Sequence, residues 1–162
     1  MNDGQAWLDR SDYRLAIAKK FGADCTIDVT GLSPSEVIDR VRDLTEGRGA
    51  DLALECTGVA EAIPQGIEMV RRGGMYIVAG VFADVGTVTL NPHHIAARQV
   101  RLIGMCNHPS TGYMASLKLL DKFQHTFPLK EFVTHKFKVA DADVAMAQAM
   151  KIDETMKVVI TP

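Results

Sequence analysis

Apolar positions along this chain follow two spacings in turn. Val37, Val41 and Leu44, with Ile38 alongside, recur at i, i+4 and i+7 behind Ser33, Pro34 and Glu36. The spacing predicts one apolar stripe on a helix, Ser33 and Glu36 form a capping box, and Pro34 suits the first turn. Gly47 or Gly49 can take the positive φ of the helix stop. Asp51–Cys56 (DLALEC) then reads as a short apolar run, a strand of a parallel sheet covered on both faces. The pattern repeats with a helix over Ala60–Arg72, closed by Gly73 and Gly74, and a buried strand over Met75–Val81. Upstream, the spacing predicts a short strand at Gln5–Leu8, a helix over Ser11–Phe21 capped by Gly22, and a strand at Cys25–Val29. Downstream it predicts strand Val100–Met105, helix Tyr113–Phe123, an extended segment Phe132–Val139, helix Asp141–Met150 and a final strand Lys157–Thr161. Strands alternating with helices predict an α/β, doubly wound parallel sheet, because parallel neighbours need long crossovers. With no linker-like stretch, one compact unit is expected.

Composition narrows the class without changing this picture. The chain has 162 residues, 47% of them hydrophobic and 23% charged, which excludes a disordered or low-complexity protein. Eighteen basic residues against 20 acidic ones leave a net charge of −2, so no overall field draws in nucleic acid or an anionic membrane. Cys25, Cys56 and Cys106 lie far apart and form no CxxC pair, which argues against a disulfide framework or a clustered zinc site and fits a reducing, cytoplasmic setting. The polar start MNDGQAWLDRSDYR is unlike a signal peptide, and no apolar run reaches membrane-spanning length.

In open parallel sheets ligands bind at the carboxyl ends of strands, which singles out Asp9, Thr57 with Gly58, Gly80 with Val81, and Gly104 to Asn107. Asp9, followed by Arg14 on the next helix, could hold a ribose diol; by spacing alone the reading of a strand-ending Asp as a turn or capping residue is the stronger one. Adjacent His93 and His94 face different ways on a helix, which disfavours a shared metal. His108 and His125 read as loop or helix-end surface, and Cys106 as a buried apolar cysteine. Met69, Met75, Met105, Met114, Met146, Met150 and Met156 read as core filling, since Met146 and Met150 share one helical face. Arg71 and Arg72 read as complementing the dipole of a helix's last turn.

The ordered set DRSDYRLAIAKKFGAD, LTEGRGADLALECTGV, RRGGMYIVAGV, VTLNPHHI, QVRLIGM, FPLKEFVTHKF, DADVAMA and KVVITP resembles the C-terminal half of zinc-type medium-chain alcohol dehydrogenases. The resemblance runs from about Asp9 to Pro162 and implies a Rossmann-type nicotinamide dinucleotide domain. By matching, it implies Asp9 as the acidic ribose ligand, Arg14 beside that ribose, and Thr57 and Gly58 along the adenosine side. It also implies Gly80 and Val81 near the nicotinamide, Lys157 reaching the pyrophosphate, and His135 in a structural position. An acidic ribose ligand favours NAD over NADP, although Arg10 next to it could pair with a 2′-phosphate. The resemblance further implies residues 1–125 as a partial Rossmann domain and 126–162 as the segment that returns to the catalytic domain, packed as one unit.

Two departures set the expected function. The family's first strand and its glycine-rich turn, expected roughly 20 residues before Asp9, do not precede it here. The family's zinc ligands, carried by its other half, have no counterpart in these residues either. The expectation is a truncated NAD-dependent alcohol dehydrogenase homologue that binds NAD weakly, carries no zinc and has no oxidoreductase activity of its own. The alternatives are a cofactor-free interaction or oligomerisation module, and a half-enzyme completed by a separate zinc-domain chain. If Gln5–Leu8 and Asp51–Cys56 do not pair across the missing first strand, each leaves an open edge. A homodimer through the sheet edge at Val100–Met105 or Val88–Leu90 is expected.

Overall fold

In a computed structural model of the chain, residues 4–81, 83–107 and 109–162 are described; His108 lies outside them. The chain divides into two compact units, one formed by residues up to Gly31 with Tyr113–Pro162, the other by Leu32–Gly112. This division differs from the expected boundary at 125/126. Side-chain ties carry the closing segment onto the first helix: the Ser11 hydroxyl donates to the Ile152 carbonyl at 3.3 Å, and the Arg14 guanidinium to the Thr155 carbonyl at 3.4 Å.

In the first unit, β1 (Ala6–Asp9) pairs in parallel with β2 (Cys25–Asp28) across α1 (Asp12–Lys20). Ser11 caps α1 by accepting from the Arg14 amide, and Gly22 ends it at φ +91°. Leu15, Ile17 and Ala18 of α1 are buried, as is Ile27 of β2. Phe21 stacks on Phe127 and meets Phe132 edge-on, while Lys20 pairs with Glu131 at 2.8 Å. The remaining elements are α5 (Ser110–Phe123, entered from the other unit), a 3₁₀ turn at Leu129–Phe132, β6 (His135–Lys138), a second 3₁₀ turn, α6 (Ala142–Ala149) and β7 (Val158–Thr161). β6 and β7 form a second parallel pair, with α6 between them in sequence.

The second unit is a three-stranded parallel sheet in the order β3 (Ala50–Glu55), β4 (Val70–Val78), β5 (Arg101–Gly104). Its helices are α2 (Pro34–Leu44), α3 (Ala62–Met69) and α4 (Pro92–Arg98). The capping box forms as predicted: the Ser33 hydroxyl accepts from the Glu36 amide, and the Glu36 carboxylate accepts from the Ser33 amide at 2.7 Å. Val37, Ile38 and Val41 are buried, whereas Leu44 at the end of the stripe is half exposed. The core is Ile67, Val70, Tyr76 and Val100, with Ala53, Ile63, Val78, Leu90 and Ile95 packed around it.

The architecture is α/β with parallel sheets, as expected, but among the described residues the strands make three sheets rather than one. β1 pairs with β2 and β3 with β4, and among the described residues neither pairs across its other edge. Several expectations are corrected. The helix read over Ala60–Arg72 ends at Met69, and Arg71 and Arg72 belong to β4. Within β4, Gly73 turns the backbone locally at φ +71° and Gly74 lies tight on the Arg71 carbonyl, where a Cβ would stand at 2.8 Å. These two glycines make an irregularity inside a strand, with a register shift on β3 between Ala50 and Leu52, and Arg71 pairs with Asp51. β3 is not covered on both faces: Leu52 is 55% and Leu54 57% exposed. Met105, Met114, Met146 and Met150 are exposed rather than core-filling; for Met146 and Met150 the reason is that α6 packs through Ala145. Cys106 is exposed as well, because it lies beyond the end of β5.

Candidate functional site

The carboxyl end of β3 carries a buried acid. Alternation along the strand puts Glu55 on the same face as Ala53, toward the core, and it is 4% exposed. A buried carboxylate needs donors, and the turn that follows supplies them. Glu55 Oε1 accepts from the Thr57 amide at 2.5 Å, the Thr57 hydroxyl at 2.7 Å and the Gly58 amide at 2.8 Å. Its Oε2 accepts from the Gly80 amide at 3.0 Å, at the end of β4's path. Burial by itself would raise this carboxyl's pKa; the hydrogen bonds from the Thr57 side chain and the Gly58, Thr57 and Gly80 amides outweigh it and hold it below the usual value.

The two turns touch backbone to backbone. A Cβ on Gly80 would stand 2.6 Å from the Cys56 carbonyl carbon and the Gly58 amide nitrogen, so no side chain fits there. Gly58 sits at φ +73°, with Gly80 O at 3.1 Å from where its Cβ would be. Above them opens a cavity of about 500 Å³ lined by Cys56, Thr57, Gly58, Ala79, Gly80, Ala83 and Val85. Its walls are small and mostly apolar, which suits the flat face of a heterocycle approaching the main chain. Partial burial and the Glu55 charge push the Cys56 thiol up, which favours its protonated form.

Of the residues singled out in sequence, Thr57, Gly58 and Gly80 are thus brought together in one unit, with Val81 next in the chain and half buried. Asp9, Arg14 and Lys157 belong to the other unit. Asp9 ends β1, and its Oδ1 accepts from the Arg10 amide at 2.7 Å and the Ser11 amide at 3.0 Å; Oδ2 has no hydrogen bond among the described residues. Arg14 turns its guanidinium to the Thr155 carbonyl, and its buried Nε has no partner among the described residues. Lys157 is exposed, while its backbone is held by Thr134. Glu55, which binds the turns together, escaped the sequence reading. The signal was present: an acid on the inward register of an apolar strand, directly ahead of a Thr-Gly turn, has those turn amides as its nearest donors.

Among the described residues the histidines do not converge. His93 and His94 rings lie 6.5 Å apart at 66° to one another, and His94 Nδ1 faces Glu68 at 3.3 Å. The His94–Glu68 contact borders a second cavity of about 490 Å³ with Arg42, Arg48 and Arg98, where Arg98 is committed to the carbonyls of Ile67, Glu68 and Val70. His135 lies between Thr134 and Gln148. Among the described residues no three His, Cys, Asp or Glu side chains are grouped to hold a metal ion. No helix among them is long and apolar enough to cross a membrane.

Residues 6–122 match the profile of a family described as zinc-binding dehydrogenase. The chain is 32% identical to a sorbitol dehydrogenase from Halalkalibacterium halodurans over 155 residues, 96% of this chain and 43% of that protein. It is 34% identical to sorbitol dehydrogenase from Mus musculus over 88% of this chain and 38% of that one. Among solved structures it superposes on an alcohol dehydrogenase from Thermotoga maritima with a TM-score of 0.86 and 28% identity, covering 99% of this chain and 43% of the other. The chain therefore spans about two fifths of the length of the curated relatives it matches.

Proposed function

The chain belongs to the zinc-binding dehydrogenase family, and from that premise we propose that these 162 residues are a nicotinamide-dinucleotide-binding part of an NAD-dependent alcohol dehydrogenase. The observation that carries the reading is the contact of two glycine turns, Thr57–Gly58 and Gly80, beneath a small-walled cavity at the carboxyl ends of β3 and β4. Ligands of open parallel sheets bind at such strand ends. The residues there fit a dinucleotide: the cavity beside the two turns is lined by small residues, Thr57, Gly58, Ala79, Gly80 and Ala83, that leave room for a ring, and the turn amides and the Thr57 hydroxyl hold the Glu55 charge. NAD supplies a hydride acceptor when bound. The part these residues play is to position it against the apolar lining of Ala79, Ala83 and Val85, and the resemblance assigns Val81, next to Gly80 in the chain, to the nicotinamide side. The resemblance assigns the ribose to Asp9, whose Oδ2 is left open by the turn, the same ribose's flank to Arg14, and the pyrophosphate to Lys157.

Zinc does not fit the described residues, among which no three ligands converge and His94 faces Glu68. Without a glycine-rich phosphate turn among these residues, the backbone donors that seat a pyrophosphate on a helix N-terminus are missing and binding is weak. Alcohol oxidation by these residues alone is not expected. Titration calorimetry with millimolar NAD tests the reading. A weak saturable heat, lost in Asp9→Arg, supports it; no heat refutes the cofactor site, and an unchanged affinity in Asp9→Arg refutes the ribose assignment.

A second reading is favoured by one observation. β3 has an open edge, and Leu52, Leu54 and Ile103, which register on one face of the sheet through Ile77, are 55%, 57% and 43% exposed. An open edge under an apolar face suits completion by further chain, which makes a half-enzyme joined to a zinc-bearing chain the alternative. Oxidation of sorbitol appearing only on mixing with such a chain supports it.

A further inference from the structure

Glu55 has no place in the reading above except as a neighbour, yet its four hydrogen bonds all go to the two turns that line the cavity. We infer that Glu55 is the positioning residue of this site, a buried strut whose two oxygens hold the Thr57–Gly58 turn and the Gly80 turn at one fixed separation so that the dinucleotide meets a preassembled surface. The inference rests on the dinucleotide reading of the cavity, and it comes from geometry.

The division of labour between the oxygens makes a carboxylate necessary. Oε1 serves Thr57 and Gly58 on the turn after β3, and Oε2 serves Gly80 on the turn after β4. Every partner is a donor, so both oxygens must be acceptors. A glutamine of the same shape would set its amide N–H groups against the amides of one turn or the other. The Gly80 amide has a second acceptor in the Glu55 carbonyl at 2.9 Å, so the amide of a glutamine would turn toward Gly80 and the side-chain link between the turns would be cut. The Thr57 and Gly58 amides have no other acceptor among the described residues. The Thr57 hydroxyl completes the turn by accepting from the Val59 amide at 3.1 Å while it donates to Oε1. The backbone contact at Gly80 means that a shift of a few tenths of an ångström in either turn changes the gap between them.

The test uses the full chain. Amide hydrogen exchange is followed at Thr57, Gly58 and Gly80, with Leu54 and Ile77 in the β3–β4 ladder as fold controls, for wild type, Glu55→Gln and Glu55→Ala. Protected Thr57 and Gly58 amides in wild type, exchanging about tenfold faster or more in Glu55→Ala while the ladder holds, support the strut, as loss of hydrogen bonds to a charged acceptor predicts. Thr57 and Gly58 amides that exchange freely in wild type overturn it, and this outcome needs no variant to fold. NAD affinity is then measured at a temperature where wild type and Glu55→Gln are both fully folded. A fall of about tenfold in Glu55→Gln supports positioning, because a role in stability alone leaves the folded fraction's affinity unchanged. Unchanged affinity overturns positioning. Absence of NAD binding in wild type sinks the dinucleotide reading, and positioning with it, while the exchange data still decide whether Glu55 locks the turns.

Discussion

Gly66 lies under the ring of Tyr76, where a Cβ would stand 2.1 Å from Cζ, and the Tyr76 hydroxyl donates to the Ala62 carbonyl at 2.8 Å. Neither the ring nor the helix can withdraw without losing that bond. Gly66→Ala is therefore expected to destabilise the chain by about 1–3 kcal/mol through overpacking, read as a lower denaturant midpoint at unchanged slope. Glu55 adds a pH dependence. Its folded pKa lies below the ordinary 4.5, so its stabilisation is complete above that value and is lost as pH falls through the lower folded one. Wild-type unfolding free energy should exceed that of Glu55→Gln by a constant margin near neutrality, and the margin should shrink in acid. A margin that widens on acidification would contradict the assigned direction. Cys106 and the methionines show the limit of residue-by-residue reading, because side-chain type says nothing of which neighbours arrive: Met146 and Met150 share a helical face, and that face is open.

Helix α2 was legible to the residue at its start, since Ser33, Pro34 and Glu36 settle among themselves which amides are satisfied. Ser33→Ala should cost about 1 kcal/mol, measured by chemical denaturation. Ile67 on α3 is 2% exposed in the centre of the core, and Ile67→Ala should cost about 2–5 kcal/mol by the same measurement. The start of β4 was not legible. Gly73 and Gly74 read as a helix stop, yet their conformational freedom serves a strand irregularity, because pairing with Ala50 of β3 recruits Val70 and ends α3 earlier. Arg71 finds Asp51 for the same reason, twenty residues away along the chain.

At the scale of the whole molecule, β5 has one open edge among the described residues, and Leu102 and Ile103 on it are 41% and 43% exposed. A strand edge with exposed apolar side chains invites pairing with another copy. The proposed homodimer through Val100–Met105 is tested by light scattering at micromolar concentration. A dimer that dissociates in Ile103→Lys supports it, a 17.7 kDa monomer refutes the dimer, and a dimer intact in Ile103→Lys refutes the choice of edge. Elemental analysis after dialysis against a mild chelator should find no stoichiometric zinc. About one zinc per chain would revive His93 or His94 as ligands.

Local rules were enough for the alternation of strands and helices, the parallel class, the capped start of α2, the stop of α1 at Gly22 and the turns after β3 and β4, because each is settled within a few residues by hydrogen bonding, sterics and apolar spacing. Thr57, Gly58 and Gly80 could be named for the same reason: strand ends are visible in the pattern. Only tertiary structure decided that Gly80 lies against Gly58, that Glu55 reaches both turns at once, that Arg14 is held by Thr155, and that Leu52 and Leu54 face outward. The first three join segments far apart in the chain, and which distant donor meets a buried acid, or which face of a strand stays open, depends on how the elements pack rather than on the residues beside them.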